Sequence, residues 1–157
     1  MSQRIFVKEV YNRRKMHSLL VDEKEAINTV IKHFAENPSL LGIFVVDESK
    51  RFKGVITRHD LLSWAKYKLG AGIDSEWASI EDIERYVYST TAKEIINRYS
   101  YRATVRSYDD IVTALDLMVS EDLTTVPVVD KQGKVIGDLT LSEILHQIIQ
   151  SLKKNSQ

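Results

Sequence analysis

One layout occurs twice in this chain, and it restricts the possible folds more than any other feature. An apolar stretch, Gly54-Val55-Ile56, runs into Thr57, after which Leu61, Leu62, Ala65 and Leu69 fall at helical spacing. Gly137-Asp138-Leu139-Thr140-Leu141-Ser142-Glu143-Ile144-Leu145 follows the same order. Ahead of each copy lies a short apolar strand ending in Val-Asp, at 43–47 and 126–130. Further upstream, Lys8-Glu9-Val10-Tyr11-Asn12-Arg13 matches Lys93-Glu94-Ile95-Ile96-Asn97-Arg98. The two lysines stand 85 residues apart and the two glycines 83. A near-constant offset over that length is an internal repeat.

Each repeat reads as β-α-β-β-α. In the first, 17–21 is a strand, and Asp22 caps a helix with Glu25 at the capping-box position. Ala26, Ile27, Val30, Ile31 and Phe34 share one face of that helix, and Asn37-Pro38 stops it. Residues 42–46 are almost wholly apolar, as in a strand buried on both faces. A polar turn at 47–50 leads to an antiparallel return over 52–56, then the helix from Thr57.

The second repeat places strands at 102–105, 124–129 and 134–139. Ser107 caps its first helix with Asp110 three residues on, and Ile111, Ala114, Leu115 and Met118 form the buried face. The last helix is expected to bury Ile144, Leu145, Ile148, Ile149 and Leu152. Between the repeats, Gly70-Ala71-Gly72 ends a helix, and Trp77, Ile80, Ile83 and Val87 indicate a short helix that packs. The division is therefore 1–69, a linker 70–91, and 92–157. A three-stranded sheet with two helices is too small to bury its own apolar faces, so two such units should pack sheet to sheet with pseudo-two-fold symmetry, in an α/β (α+β) fold.

The threonine at each strand-to-helix junction has chemical use. The first amides of a helix lack intrahelical partners, and the helix dipole favours negative charge there. A hydroxyl beside free amides can hold a phosphate oxygen, and an ionised acid one turn on can accept two hydrogen bonds from a vicinal diol such as a ribose. The competing reading is a capping box, in which threonine and acid satisfy only the helix end.

With its Val-Val-Asp strands, Gly-x-x-Thr strand ends and duplicated frame, the chain resembles a tandem pair of CBS domains, the regulatory repeats often called a Bateman module. The resemblance covers about residues 5–69 and 90–152. It implies an adenosine-type ligand (AMP, ADP, ATP or S-adenosylmethionine) in a cleft between repeats. Carried over, it assigns Thr57 and Asp60 to ribose and phosphate, with His17, Ser18, Gly42 and Ile43 near the base and Arg58, His59, Arg51 and Lys53 as phosphate partners. In the second repeat, Thr125, Val126 and Pro127 resemble the adenine wall, with Thr140 and Glu143 as its threonine and acid. Here the chain departs from the family pattern. Glu143 is one methylene longer than the usual Asp and makes the better capping box, and Phe44 stands where the second repeat has Pro127. The Asp60 cleft is therefore expected to bind if only one does. The resemblance also implies a flat homodimer through the helices after Thr57 and Thr140, and regulation of a separate protein that the sequence does not name.

Composition narrows the classes. Lys plus Arg and Asp plus Glu balance at 22 each, so no nucleic-acid or membrane surface is expected. No apolar run approaches a membrane span, and the first residues lack a signal-peptide core, so a cytoplasmic location is expected. There is no cysteine. The four histidines, His17, His33, His59 and His146, lack metal-ligand spacing, and no metal is expected. No set of nucleophile, base and oxyanion donors is recognisable, so no enzyme is expected. The basic cluster Arg4, Lys8, Arg13, Arg14 and Lys15 reads as a solvated face or a neighbour of phosphate. The seven tyrosines read as packing and cap residues. A structural interaction module without a nucleotide is the alternative reading.

Overall fold

The structure, a computed structural model, describes residues 3–11, 16–70, 79–97 and 99–156. Arg13, Arg14, Lys15 and Trp77 lie outside them. The first repeat contains β1 (Leu19–Asp22), α1 (Ile27–Glu36), β2 (Ile43–Val46), β3 (Phe52–Ile56) and α2 (Arg58–Lys68). Two short helices, α3 (Ile80–Tyr86) and α4 (Ala92–Ile95), lead into the second. There follow α5 (Ile111–Glu121), β4 (Thr125–Val129), β5 (Val135–Thr140) and α6 (Leu141–Asn155).

In the first sheet β1 runs parallel to β2, and β2 antiparallel to β3. Every residue of β2 is buried, and its side chains alternate between two cores. Ile43 and Val45 join Val30, Phe34 and Tyr86 on the helical side. Phe44 joins Val126, Val128 and Leu139 of the second repeat, so the repeats share one apolar core. The hairpin turns also meet: Phe52 N donates to Gly133 O (3.0 Å) and Val135 N to Lys50 O (3.2 Å).

The second sheet departs from expectation at residues 102–105. There is no regular strand there, only a 3-10 turn over Ser100–Arg102 and a single parallel bridge from Val105 to Val128. Val105 N donates to Pro127 O (3.0 Å), and Val129 N to Val105 O (2.9 Å). A strand residue directs its N–H and C=O to the same neighbour, and Pro127 has no N–H to continue the ladder on that side. Phe44 occupies the equivalent place in the first repeat, where the ladder runs the four residues of β1.

The helix starts differ too. Neither Asp22 nor Ser107 is an N-cap: α1 begins after Ala26 and α5 after Asp110. Asp22 instead accepts a turn hydrogen bond from Lys24 N (2.8 Å). Each repeat's lead segment crosses to the other repeat and caps its first helix. Ile27 N donates to Thr90 O (3.0 Å), and Ile111 N to Ile5 O (2.9 Å). For α1 the Thr90 carbonyl stands in for a side-chain cap, whereas in α5 the Asp110 side chain also caps, accepting from Val112 N (2.8 Å).

In α6, Ile144 is buried, but Leu145, Ile148, Ile149 and Leu152 are exposed, contrary to the expected buried face. Leu62 and Leu69 near α2 are exposed as well. Among the described residues no helix is long and apolar enough to cross a membrane.

Candidate functional site

Thr57 is the N-cap of α2, and Asp60 closes the box. Thr57 Oγ1 accepts from Asp60 N (3.2 Å), while Thr57 N and Oγ1 donate to Asp60 Oδ2 (2.9 and 3.1 Å). The other carboxylate oxygen is also engaged. Arg85 Nη2 donates to Asp60 Oδ1 at 2.7 Å, and the Tyr86 hydroxyl at 3.3 Å. Arg85 is held by two further contacts: its Nε donates to Ile95 O (2.6 Å), and its guanidinium lies 4.7 Å from the centre of the Tyr86 ring. Burial, with the Asp60 charge second, pushes the Tyr86 phenol up to about 12.

This junction faces a groove of about 340 Å³ lined by Thr57, His59, Asp60, Arg85, Asp122 and Leu123, so both repeats contribute. An adjoining groove of about 320 Å³ shares Thr57 and His59 and adds Arg58, Leu40, Leu41 and Thr125. Of the expected residues, the fold therefore brings Thr57, His59, Asp60 and Thr125 together, with Arg58 at the rim but otherwise engaged.

Others are engaged or placed elsewhere. Arg58 donates to Asn37 O (2.7 Å) and Leu40 O (3.0 Å), where it closes the carboxyl end of α1 rather than presenting a free fork. Arg51 pairs with Asp47 at the hairpin (3.1 Å). Lys53 lines a separate groove of about 640 Å³ with Arg85, Lys93 and Ile80. Gly42 is buried where an added Cβ would sit 3.5 Å from Thr125 Cγ2, so the strand starts of the two repeats nearly touch. Ile43 and Val126 are fully buried in the two cores, and Pro127 is buried in β4.

His17 and Ser18 do not line the Thr57 grooves; they reach into the second repeat. Both backbone amides donate to Asp138 Oδ2 (2.9 and 3.0 Å), and Ser18 Oγ lies 3.1 Å from Thr125 Oγ1. Asp138 occupies the place of Val55, fully buried, and its Oδ1 has no hydrogen-bond partner. Nearby, Thr140 and Glu143 repeat the capping box, with Thr140 N and Oγ1 donating to Glu143 Oε1 (3.0 and 2.9 Å). His17 Nδ1 lies 3.7 Å from Asp138 Oδ1 and 4.0 Å from Glu143 Oε1.

Sequence reasoning missed Arg85, Tyr86 and Asp138. The first two sit in the linker, where no motif marks them. Asp138 did carry a signal, because an acid interrupts an otherwise apolar return strand.

The CBS-domain model matches residues 7–67 and 90–150. The chain belongs to the CBS-domain family. A curated relative, the chloroplastic CBS domain-containing protein CBSX2 of Arabidopsis thaliana, is 23% identical over 147 residues, covering 88% of this chain. The chain spans only 60% of that relative's length. Among solved CBS structures, a CBS domain-containing protein of Thermotoga maritima has a TM-score of 0.74 at 23% identity, covering 95% of this chain and 97% of that one. CBSX2 in complex with AMP has a TM-score of 0.68 at 19% identity, with coverage of 92% and 96%. The CBS domain pair of protein MJ0100, in complex with 5-methylthioadenosine and S-adenosyl-L-methionine, has 0.65 at 19% identity, with coverage of 95% and 99%. These likenesses establish the fold of a CBS pair.

Proposed function

We propose that this CBS pair is a regulatory, non-catalytic module that takes an adenosine ligand in the groove at Thr57 and Asp60. AMP, ADP, ATP and S-adenosylmethionine are the candidates. CBS-pair structures holding AMP or S-adenosylmethionine support the ligand class. The observation that carries the reading is the Asp60 carboxylate, set by its cap at the edge of a groove to which both repeats contribute. Ribose hydroxyls need a carboxylate so placed. Arg85 donates to Asp60 Oδ1, and a diol that takes that oxygen displaces the guanidinium towards the phosphate or carboxylate end of the ligand. Movement of Arg85 then shifts α3, between units 1–69 and 92–157. The exposed apolar row on α6, with Leu62 and Leu69, is the face through which two copies pair, and a separate protein reads the resulting change.

A second reading, an interaction module without nucleotide, rests on the same carboxylate. Both Asp60 oxygens are already bonded, and Glu143 serves as a cap. A thermal-shift series with AMP, ADP, ATP and S-adenosylmethionine separates the two. Each protein is compared with its own ligand-free midpoint. At 100 times the dissociation constant a ligand should raise the midpoint by about 5–10 °C in the native chain. Asp60→Ala should abolish the shift. No shift with any of the four ligands leaves the interaction reading.

A further inference from the structure

The cap of α6 has a chemistry of its own around it. Two acids, Asp138 and Glu143, converge there with one imidazole, and the donor atoms of all three lie within 4.8 Å of one another. Among the described residues the ion pairs of both acids are with His17 alone, and no lysine or arginine offsets them. Asp138 is fully buried, yet its Oδ1 accepts no hydrogen bond and is aimed at His17 Nδ1. An unpaired carboxylate oxygen at such depth is costly, and the equivalent place in the first repeat holds an ordinary apolar Val55. The arrangement has a reason if a cation completes it.

We propose that His17, Asp138 and Glu143 hold a divalent transition-metal ion of the zinc class. One imidazole nitrogen and two carboxylate oxygens form an N/O donor set that suits zinc, cobalt or nickel better than magnesium or calcium, which favour oxygen alone. Zinc bonds to such atoms are about 2.0–2.2 Å long, which sets donors on one ion about 3.3–3.6 Å apart; His17 Nδ1 stands 3.7 Å from Asp138 Oδ1 and 4.0 Å from Glu143 Oε1, and side-chain rotation at His17 and Glu143 closes the set. Water fills the remaining positions. The backbone already fixes the set: the His17 and Ser18 amides grip Asp138 Oδ2 and leave Oδ1 for the metal, and the Thr140 cap holds Glu143 in place. His17 leads into the first repeat, whereas Asp138 and Glu143 belong to the second. The ion therefore ties the two repeats together.

The test uses the full chain, stripped with a chelator, and no nucleotide, so its outcome is independent of the adenosine reading. ZnCl2 is titrated with the thermal midpoint as readout, and CoCl2 with its visible d–d absorption. Saturating zinc should raise the midpoint by about 5–10 °C, with little response to MgCl2. His17→Ala and Glu143→Gln should each weaken zinc and cobalt binding by about tenfold or more. Both variants should fold, because the His17 side chain is 43% exposed and glutamine preserves the cap. His33→Ala and His146→Ala should bind as the native chain does. The proposal is overturned if the native chain does not respond to zinc, if magnesium acts equally, or if His17→Ala and Glu143→Gln bind at native affinity.

Discussion

The caps of α2 and α6 are almost superimposable in their local bonds, and they meet opposite surroundings. In both, a threonine amide and hydroxyl hold an acid three residues on, at 2.9–3.1 Å. At Asp60 the remaining oxygen meets Arg85 and Tyr86 from the linker. At Glu143 the neighbours are His17 and a second acid, Asp138. The local motif thus builds the helix start, and the partner delivered by another element decides the chemistry. At one cap a cation faces the acid. At the other, a second acid and an imidazole face the cap.

A second contrast between the repeats allows the most drastic test. Phe44 and Pro127 occupy matching places in β2 and β4. Phe44 is fully buried and packs edge-on against Phe52 at 5.9 Å. Phe44→Pro, which copies the second repeat into the first, should remove the ring from the shared core and one amide from the β1 side of the ladder. The expected cost is about 4 kcal/mol or more, a large part of an ordinary domain's stability. Urea unfolding measures it. A loss under about 1 kcal/mol would mean that proline does not set the length of the first strand. The reciprocal Pro127→Val should change stability far less, and hydrogen exchange should show a newly protected amide at 127.

That contrast also shows what was legible from the residues alone. The duplicated frame, the apolar β2 and both threonine caps could be read directly, because hydrophobic periodicity and capping chemistry are local. The missing strand before α5 was signalled by Pro127, but its effect depends on which edge of β4 its absent N–H would face. The helix starts at Ile27 and Ile111 were not legible, since the carbonyls that satisfy their first amides come from the distant Thr90 and Ile5. The site divides in the same way. Thr57 and Asp60 belong to a motif, whereas Arg85 and the meeting of His17 with Asp138 exist only after tertiary packing.

The Arg85 contact makes a smaller, spectroscopic prediction. Tyr86 should titrate about two units above the ordinary phenol, near 12, because burial and the Asp60 charge both oppose phenolate. Between roughly pH 10 and 12 the unfolded chain releases this proton while the folded chain keeps it. The stabilising contribution is therefore complete below pH 10 and is lost as pH rises towards 12. Asp60→Asn should move the Tyr86 titration, followed by phenolate absorbance, back towards 10. An unchanged titration would mean that burial alone sets it. The second repeat has no counterpart to this coupling.

Amide substitution at the two acids sharpens the comparison further, because the chemical change is the same. Asp60→Asn keeps a cap acceptor but removes the charge that Arg85 meets at 2.7 Å, leaving a guanidinium whose side chain is only 14% exposed without its anion. Hydrogen bonds to charged groups are worth about 1.5–3 kcal/mol, and a loss of that order is expected. Glu143→Gln, in metal-free protein, has far less to lose. Glutamine serves the capping box nearly as well as glutamate, and removing one of two neighbouring negative charges relieves Asp138. The change should lie within about 0.5 kcal/mol of zero. Equal losses at the two positions would show that both acids act only through their caps. The contrast between a cation-facing and an anion-facing cleft would then have no energetic content. A large loss at Asp60 with almost none at Glu143 would place the difference between the clefts in Arg85, whose position in the linker lies outside both repeats of the pattern.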